Sequence, residues 1–533
     1  MKNILIWLKK YNKPEYLWLL AIIVLGIFLR TYNFSDWVRF NDDQVRDASI
    51  VDRMVSGEEF PLLGPKAGGT SFNLGSAFYY LEYFSALLFG NTPQSLAYPV
   101  LFFSILSIPL FYFLFKNIFI RSIALTLTAI YAGSFFIIKY SRFAWNMNLV
   151  PFFVLAFIFL LAKIADENDK NKNLWAIFLG ITIGIGIQLH TLLLICFPLV
   201  LLLFLLIDFL KNKKIALKKI LVVIFIALIL NFPSILYDIK TNGENMGSFF
   251  KGATSKTKEE ISLGEKFYKN LSCQIQGNSF VLSAYGNNDE CNIFQKDQES
   301  NFWLRKLNIW GSCVFFIGGL ALVLFFGLKK KYFSENKFFS VMVLYFLISS
   351  MVFIPLSGEI SLRMFAVIVF VPFLFLGLWM NFIKDKMGKA GIGLSIIFTI
   401  LLLGANLFVL KNTYFALGDM YRDDKYFGGA SLGELKKISS YVEESVENNG
   451  KVQIFSFTNA RSLEYLLEKS GLDAEIKSDD EAETGNIYFF LKKNDFRLNN
   501  KKEKSLQKDL EKFNELDSEI IGQYTVFKLE SLK

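Results

Sequence analysis

Histidine occurs once in this chain of 533 residues and cysteine four times. A zinc module needs several such ligands at close spacing, so a lone His190 and scattered cysteines exclude a Cys/His metal site. The first apolar stretch lacks a small-residue cleavage site and ends in Leu29, Arg30, Thr31 and Tyr32. It therefore reads as a retained anchor rather than a removed signal peptide. Charge is nearly missing from runs of about 17 to 23 residues that recur up to position 411, each long enough to cross roughly 30 Å of hydrocarbon as a helix.

What is present is apolar bulk: 53% hydrophobic residues and a mean hydropathy of +0.37. Those values exclude a string of soluble domains and indicate an α-helical multi-pass membrane protein. About eleven transmembrane helices are expected, near 15–33, 95–115, 122–139, 148–164, 174–190, 192–210, 219–237, 307–328, 338–356, 362–383 and 390–411. A further apolar stretch, Leu74 to Phe89, contains Glu82 and Gly75 and is short for a span.

Loop charge decides how that stretch is counted. If it does not cross, Lys2 to Lys13, Lys116 with Arg121, Lys163 to Lys172, Lys211 to Lys219, Lys329 to Lys337 and Lys384 to Lys389 share one side, the cytoplasmic one. If it crosses, the positive charge scatters. The amino terminus is thus expected in the cytoplasm, with outer loops at 34–94 and 238–306. The net charge of +9 follows from the basic inner loops and does not indicate nucleic acid. Cys273 and Cys291 share the second outer loop, where they could form a disulfide or remain free.

Residues 1–412 form the expected membrane domain, and the character changes after them. Ser431 and Glu434 make a capping-box helix start. A helix to about Glu447, a strand Val452 to Phe457, a helix Arg461 to Lys469, a strand Ile487 to Leu491, a charged helix near Lys502 to Phe513 and a strand Tyr524 to Leu529 follow. Together 413–533 read as a small extracytoplasmic α/β domain. It has no phosphate-cradling glycine motif and is expected to be accessory.

The first outer loop opens with Phe40, Asn41, Asp42, Asp43, Gln44, Val45, Arg46 and Asp47. Ionisable groups at the mouth of a span are functional candidates. Asp42 and Asp43 are suited to take a proton from an acceptor, although Asp is also common at a helix start. Val45, Ala48, Val51 and Val55 recur at helical spacing, with Arg46, Ser49, Arg53 and Ser56 on another face, which predicts a surface-lying helix. Other outer positions add cations and amides: Lys139, Arg142 and Asn146 between the third and fourth spans, His190 at the end of the fifth, Arg363 at the start of the tenth. Facing one another, these groups suit a phosphate-bearing lipid. Each also has a plainer use: headgroup contact for Lys139 and Arg142, a helix end for His190, an ion pair with Glu359 for Arg363.

The run Asn41 to Ala48, then Pro61-Leu62-Leu63-Gly64-Pro65 and Tyr79-Tyr80, resembles the first outer loop of the GT-C glycosyltransferases. Among these it is similar to bacterial members of the protein O-mannosyltransferase and aminoarabinose transferase superfamily. Arg142-Phe143-Ala144-Trp145-Asn146 and Gln188-Leu189-His190 resemble the same group. The resemblance implies an enzyme that moves a hexosyl or pentosyl group from a polyprenyl-phosphate donor to a protein, lipid or glycan acceptor outside the cytoplasm, with inversion. It implies Asp43 as the general base, with Asp42 as second choice; the shared membrane face, rather than the resemblance, makes Arg46, Lys139, Arg142, Asn146, His190 and Arg363 the expected substrate-binding groups. No cofactor is fixed by the resemblance, and a divalent metal stays open. The family often has Asp-Glu where this chain has Asp43-Gln44, and the run Lys139 to Asn148 has no carboxylate. A transporter or flippase of lipid-linked saccharides is the alternative, though such proteins place polar groups and internal repeats within the spans.

Overall fold

The computed structural model describes residues 14–532, except 167–168, 213–216, 258–261, 285–290, 292, 295–301, 359, 415–428, 447–451, 457–459, 477–486 and 494–512. Helices dominate as far as Tyr414, and a mixed sheet follows. Among the described residues seven helices are long and apolar enough to cross a membrane, or up to eight if the bent pair Leu217–Leu230 and Phe232–Lys240 is one span. The chain is a multi-pass membrane protein.

The difference from eleven comes from breaks, from the merging of the last two segments and from the shorter apolar helix Lys337–Phe353, 17 residues long, since each expected segment is helical over most of its length. One segment divides at Ser134 into Arg121–Gly133 and Phe135–Lys139. Asn406 seals that break: its Oδ1 accepts the Phe135 N–H at 2.7 Å, and its Nδ2 donates to the Leu282 carbonyl at 2.6 Å. Such bonds are required wherever the backbone opens away from water. The seventh expected span bends by 62° at Asn231. The last two run together as Val371–Tyr414, interrupted at Gly388, where φ is 56° and ψ is −125°. A residue with a Cβ is strained there, so glycine sets the corner.

The stretch containing Glu82 forms the helix Ala77–Phe89, 13 residues long. At 1.5 Å per residue it spans about 20 Å, too short for the hydrocarbon layer. It packs instead against the helix Asp42–Ser56. Further along, Cys273 on the helix Leu263–Ser283 is bonded to Cys291.

The C-terminal sheet has the order Ala474–Ile476, Val452–Ser456, Ile487–Lys493, Tyr524–Ser531, Phe513–Ile521. The first three strands are parallel and the last two antiparallel. The helix Leu432–Ser445 starts with the expected Ser431–Glu434 capping box. The charged helix expected near 502–513 falls on residues that are not described up to 512, and Phe513 opens an edge strand. That strand carries Glu515, Asp517 and Glu519 on exposed positions, which guards a free edge against pairing. No period-two apolar pattern announced it.

Residues of the membrane domain and of the sheet domain share one apolar cluster, in which Val38 and Phe40 lie with Leu432, Leu463 and Tyr465.

Candidate active site

Asn41 precedes the helix Asp42–Ser56, and Gly57 closes it. Asp42 and Asp43 fill the first turn and are exposed, where the helix dipole favours negative charge. The buried face differs from the expected one: Gln44, Asp47, Ala48, Val51 and Met54 point inward, whereas Val55 is exposed. Two polar residues therefore sit among packed neighbours, and both have specific work.

Gln44 joins two loops. Its Oε1 accepts the Asn41 N–H at 3.1 Å, and its Nε2 donates to the Ala144 carbonyl at 2.9 Å. A glutamate could make the first bond but not the second, because an ionised carboxylate only accepts. The departure from the Asp-Glu pair of the group this loop resembles thus has a local physical reason.

Asp47 is fully buried and holds Arg46 from behind. Arg46 Nε and Nη2 lie 2.9 and 2.7 Å from Asp47 Oδ1, and Nη1 lies 2.9 Å from Asp43 Oδ1. The Asp43 side chain is 57% exposed and that of Arg46 41% exposed. Asp47 Oδ2 and both Glu82 oxygens are buried without a hydrogen-bond partner among the described residues. One guanidinium thus bonds two carboxyl groups, Asp43 and Asp47. Burial pushes the Asp47 carboxyl up from 3.8 to about 7, against the pull of Arg46. Burial, then the charge of Asp47, raises Glu82 well above its ordinary value, which favours the neutral acid. Tyr79, on the Glu82 helix, is raised by burial and by Asp47.

The second loop supplies an aromatic step. Phe143 and Trp145 stack with ring centres 6.0 Å apart. The Arg39 guanidinium lies 3.9 Å above the Phe143 ring, and that of Arg363 lies 5.5 Å from the Trp145 ring. Arg363 is exposed, on the turn Leu362–Ile368. Its expected partner Glu359 is outside the described residues. Gln44, Arg39 and Arg363 therefore converge on Phe143-Ala144-Trp145 from two other segments.

Other expected site residues are placed differently. Arg142 is buried and turned inward. Its Nη1 donates to the carbonyls of Leu29 and Arg30 at 3.4 and 3.1 Å, its Nη2 to those of Tyr32 and Asn33 at 2.7 and 3.4 Å. It caps the carboxyl end of the first span, because helix ends leave carbonyls unpaired and attract cations. Asn146 Nδ2 donates to the Leu189 carbonyl at 2.6 Å, tying the second loop to the end of the fifth expected span. His190 Nδ1 accepts the Leu192 N–H at 3.1 Å, at the start of Thr191–Asn212. The Lys139 ammonium lies 5.6 Å from the Tyr140 ring.

Sequence reasoning named Asp43, Arg46 and Arg363, which the structure leaves exposed. Asp47 was already part of the polar cluster that opens the first loop, but Arg39, Tyr79 and Glu82 were not recognised as parts of the same surroundings. A charged residue inside an apolar stretch, Glu82, was the available signal. Among the described residues no three His, Cys, Asp or Glu side chains group so as to hold a metal ion.

Residues 76–237 match the family described as dolichyl-phosphate-mannose-protein mannosyltransferase. No curated protein matches the sequence. The fold is similar to the crystal structure of ArnT from Cupriavidus metallidurans in the apo state, with a TM-score of 0.51 and 11% identity over 96% of this chain and 97% of that one. It is equally similar to the same protein bound to undecaprenyl phosphate, with 0.51 and 11% over 96% and 98%. The resemblance to GT-C glycosyltransferases thus holds in a stretch of sequence and in the fold.

Proposed function

We propose that the protein is a membrane glycosyltransferase that takes a sugar from a polyprenyl-phosphate donor and passes it to an acceptor outside the cytoplasm. The observation that carries this reading is the exposed Asp43–Arg46 pair at the mouth of the first span, joined by Gln44 and Trp145 to the loop that carries Arg363. The ArnT structure with undecaprenyl phosphate supports a lipid-phosphate donor.

In the proposed reaction the acceptor's nucleophilic atom attacks the anomeric carbon while Asp43 Oδ takes its proton. The bond from that carbon to the phosphate oxygen breaks, and the polyprenyl phosphate leaves with the electron pair. A single displacement of this kind inverts the anomeric centre. Arg46 orients Asp43, and Arg363, with Lys139 and His190, receives the departing phosphate. Arg142 and Asn146 act on structure: the first closes the end of the first span, the second fixes the loop.

The amino terminus lies in the cytoplasm and the C-terminal domain outside. The bonded Cys273–Cys291 pair supports an oxidising side for 238–306. The contacts between 430–469 and the segment after the first span support one common side for the sheet domain and the acidic cluster.

The test is transfer from radiolabelled polyprenyl-phosphate sugars by purified protein, with release of polyprenyl phosphate. Transfer that depends on Asp43 is expected. Movement of the lipid-linked sugar across vesicles, with no transfer to any acceptor, would instead identify a flippase.

A further inference from the structure

The sheet domain meets the membrane domain at the segment that leads into Asp43. The Leu432 N–H donates to the Val38 carbonyl at 2.7 Å and the Phe40 N–H to the Ala430 carbonyl at 3.3 Å, forming an antiparallel bridge between Arg39 and Ser431. The buried Ser462 hydroxyl donates to the Phe40 carbonyl at 3.0 Å. The Tyr465 and Phe40 rings lie 5.6 Å apart, and Phe40 is only 1% exposed. At the other end of the same helix, Lys469 Nζ sits 2.6 Å from Asp52 Oδ1. The helix Ala460–Lys469 is therefore fixed to Asp42–Ser56 near both ends.

Gly429 shows how close the approach is. Its φ is +125°, and a Cβ there would come within 2.6 Å of the Asn41 side-chain nitrogen. Asn41 is the residue from which the Asp43 helix starts. Without the sheet domain, the Phe40 ring and the bonded backbone groups of Val38 and Phe40 would be uncovered. Buried backbone groups bonded in this way do not move independently of their partners.

We propose that the C-terminal domain is a working part of the site and not an accessory module: it fixes the backbone that sets Asp43, with Ser462 as the positioning residue and the bridging segment 429–432 as its second hold. This rests on Asp43 being the base. A carboxylate that must meet an acceptor proton tolerates little displacement, so loosening its backbone lowers turnover without removing a reacting group.

The experiment uses full-length Ser462→Ala in detergent, read in two ways. Hydrogen exchange of the amides between Val38 and Val45 is expected to rise about tenfold, the effect of losing one buried hydrogen bond. The kcat for sugar transfer is expected to fall by a similar factor, with the donor KM unchanged. Gly429→Ala keeps every donor while pushing a methyl at Asn41, and it is expected to give the same split should Ser462→Ala fold poorly. Unchanged exchange in both variants overturns the hold; raised exchange with unchanged kcat overturns its positioning role. Asp43→Asn in the same assay separates the two claims: if it keeps full activity the base reading fails, whatever the exchange shows.

Discussion

Arg46 and Arg142 both fall in segments expected on the outer side, and both were expected near a lipid phosphate. The Arg46 side chain is 41% exposed and bonds two carboxylates, whereas Arg142 is 1% exposed and bonds four backbone carbonyls. The contrast teaches that an arginine's acceptors, rather than its loop, decide its use. A guanidinium bonded to carboxylates at the surface can exchange a partner for a phosphate. One bonded to the end of a helix cannot leave without stranding carbonyls in an apolar setting.

The largest expected effect that sharpens this contrast is on folding. Arg142→Ala should cost about 3 kcal/mol or more, since several buried carbonyls lose a charged donor, and Arg142→Lys should not restore it, because one ammonium cannot replace a fork of two nitrogens. Chemical denaturation in detergent measures this. An Arg142→Ala protein that folds normally but binds donor poorly would break the comparison. Arg363→Ala should do the reverse: stability within about 0.5 kcal/mol of the parent, as for exposed substitutions, and kcat/KM lower by roughly a hundredfold.

Next in size is Gln44→Glu. It keeps the acceptor for Asn41 and sets a carboxylate against the Ala144 carbonyl, so a loss of about 1–3 kcal/mol is expected, measured by thermal melting. An unaffected protein would show that the two loops do not depend on the amide.

The smallest effect is a slope with pH. The Asp47 carboxyl rises from 3.8 to about 7 on folding, so the native state holds its proton more tightly than the unfolded chain does. Its contribution to stability is full below about pH 4 and is lost as pH climbs through about 7; Glu82 acts in the same direction. Melting temperature should therefore decline from pH 5 to 8, and Glu82→Gln, which keeps the neutral form, should flatten the decline. A wild-type melting temperature that rises across this range would contradict the burial of the pair.

Much of the scaffold was legible because apolar runs and capping signals are local. The start at Ser431 could be read within four residues of sequence. The breaks at Ser134 and Asn231 were not legible, since the groups that tolerate them, such as Asn406 and the Gly184 carbonyl, come from distant parts of the chain. The site divides in the same way. Asp43 and Arg46 are one helical turn apart, and spacing alone pairs them. Glu82 reaches Asp47, and Ser462 reaches Phe40, only through tertiary packing, which no periodicity encodes.

The central claim is that Asp43 takes the acceptor's proton during transfer from a lipid phosphate. Single-turnover transfer from a polyprenyl-phosphate sugar by Asp43→Asn tests it most directly. A rate about 10²- to 10⁴-fold lower, with donor binding retained, is the expected result; an unchanged rate would contradict it.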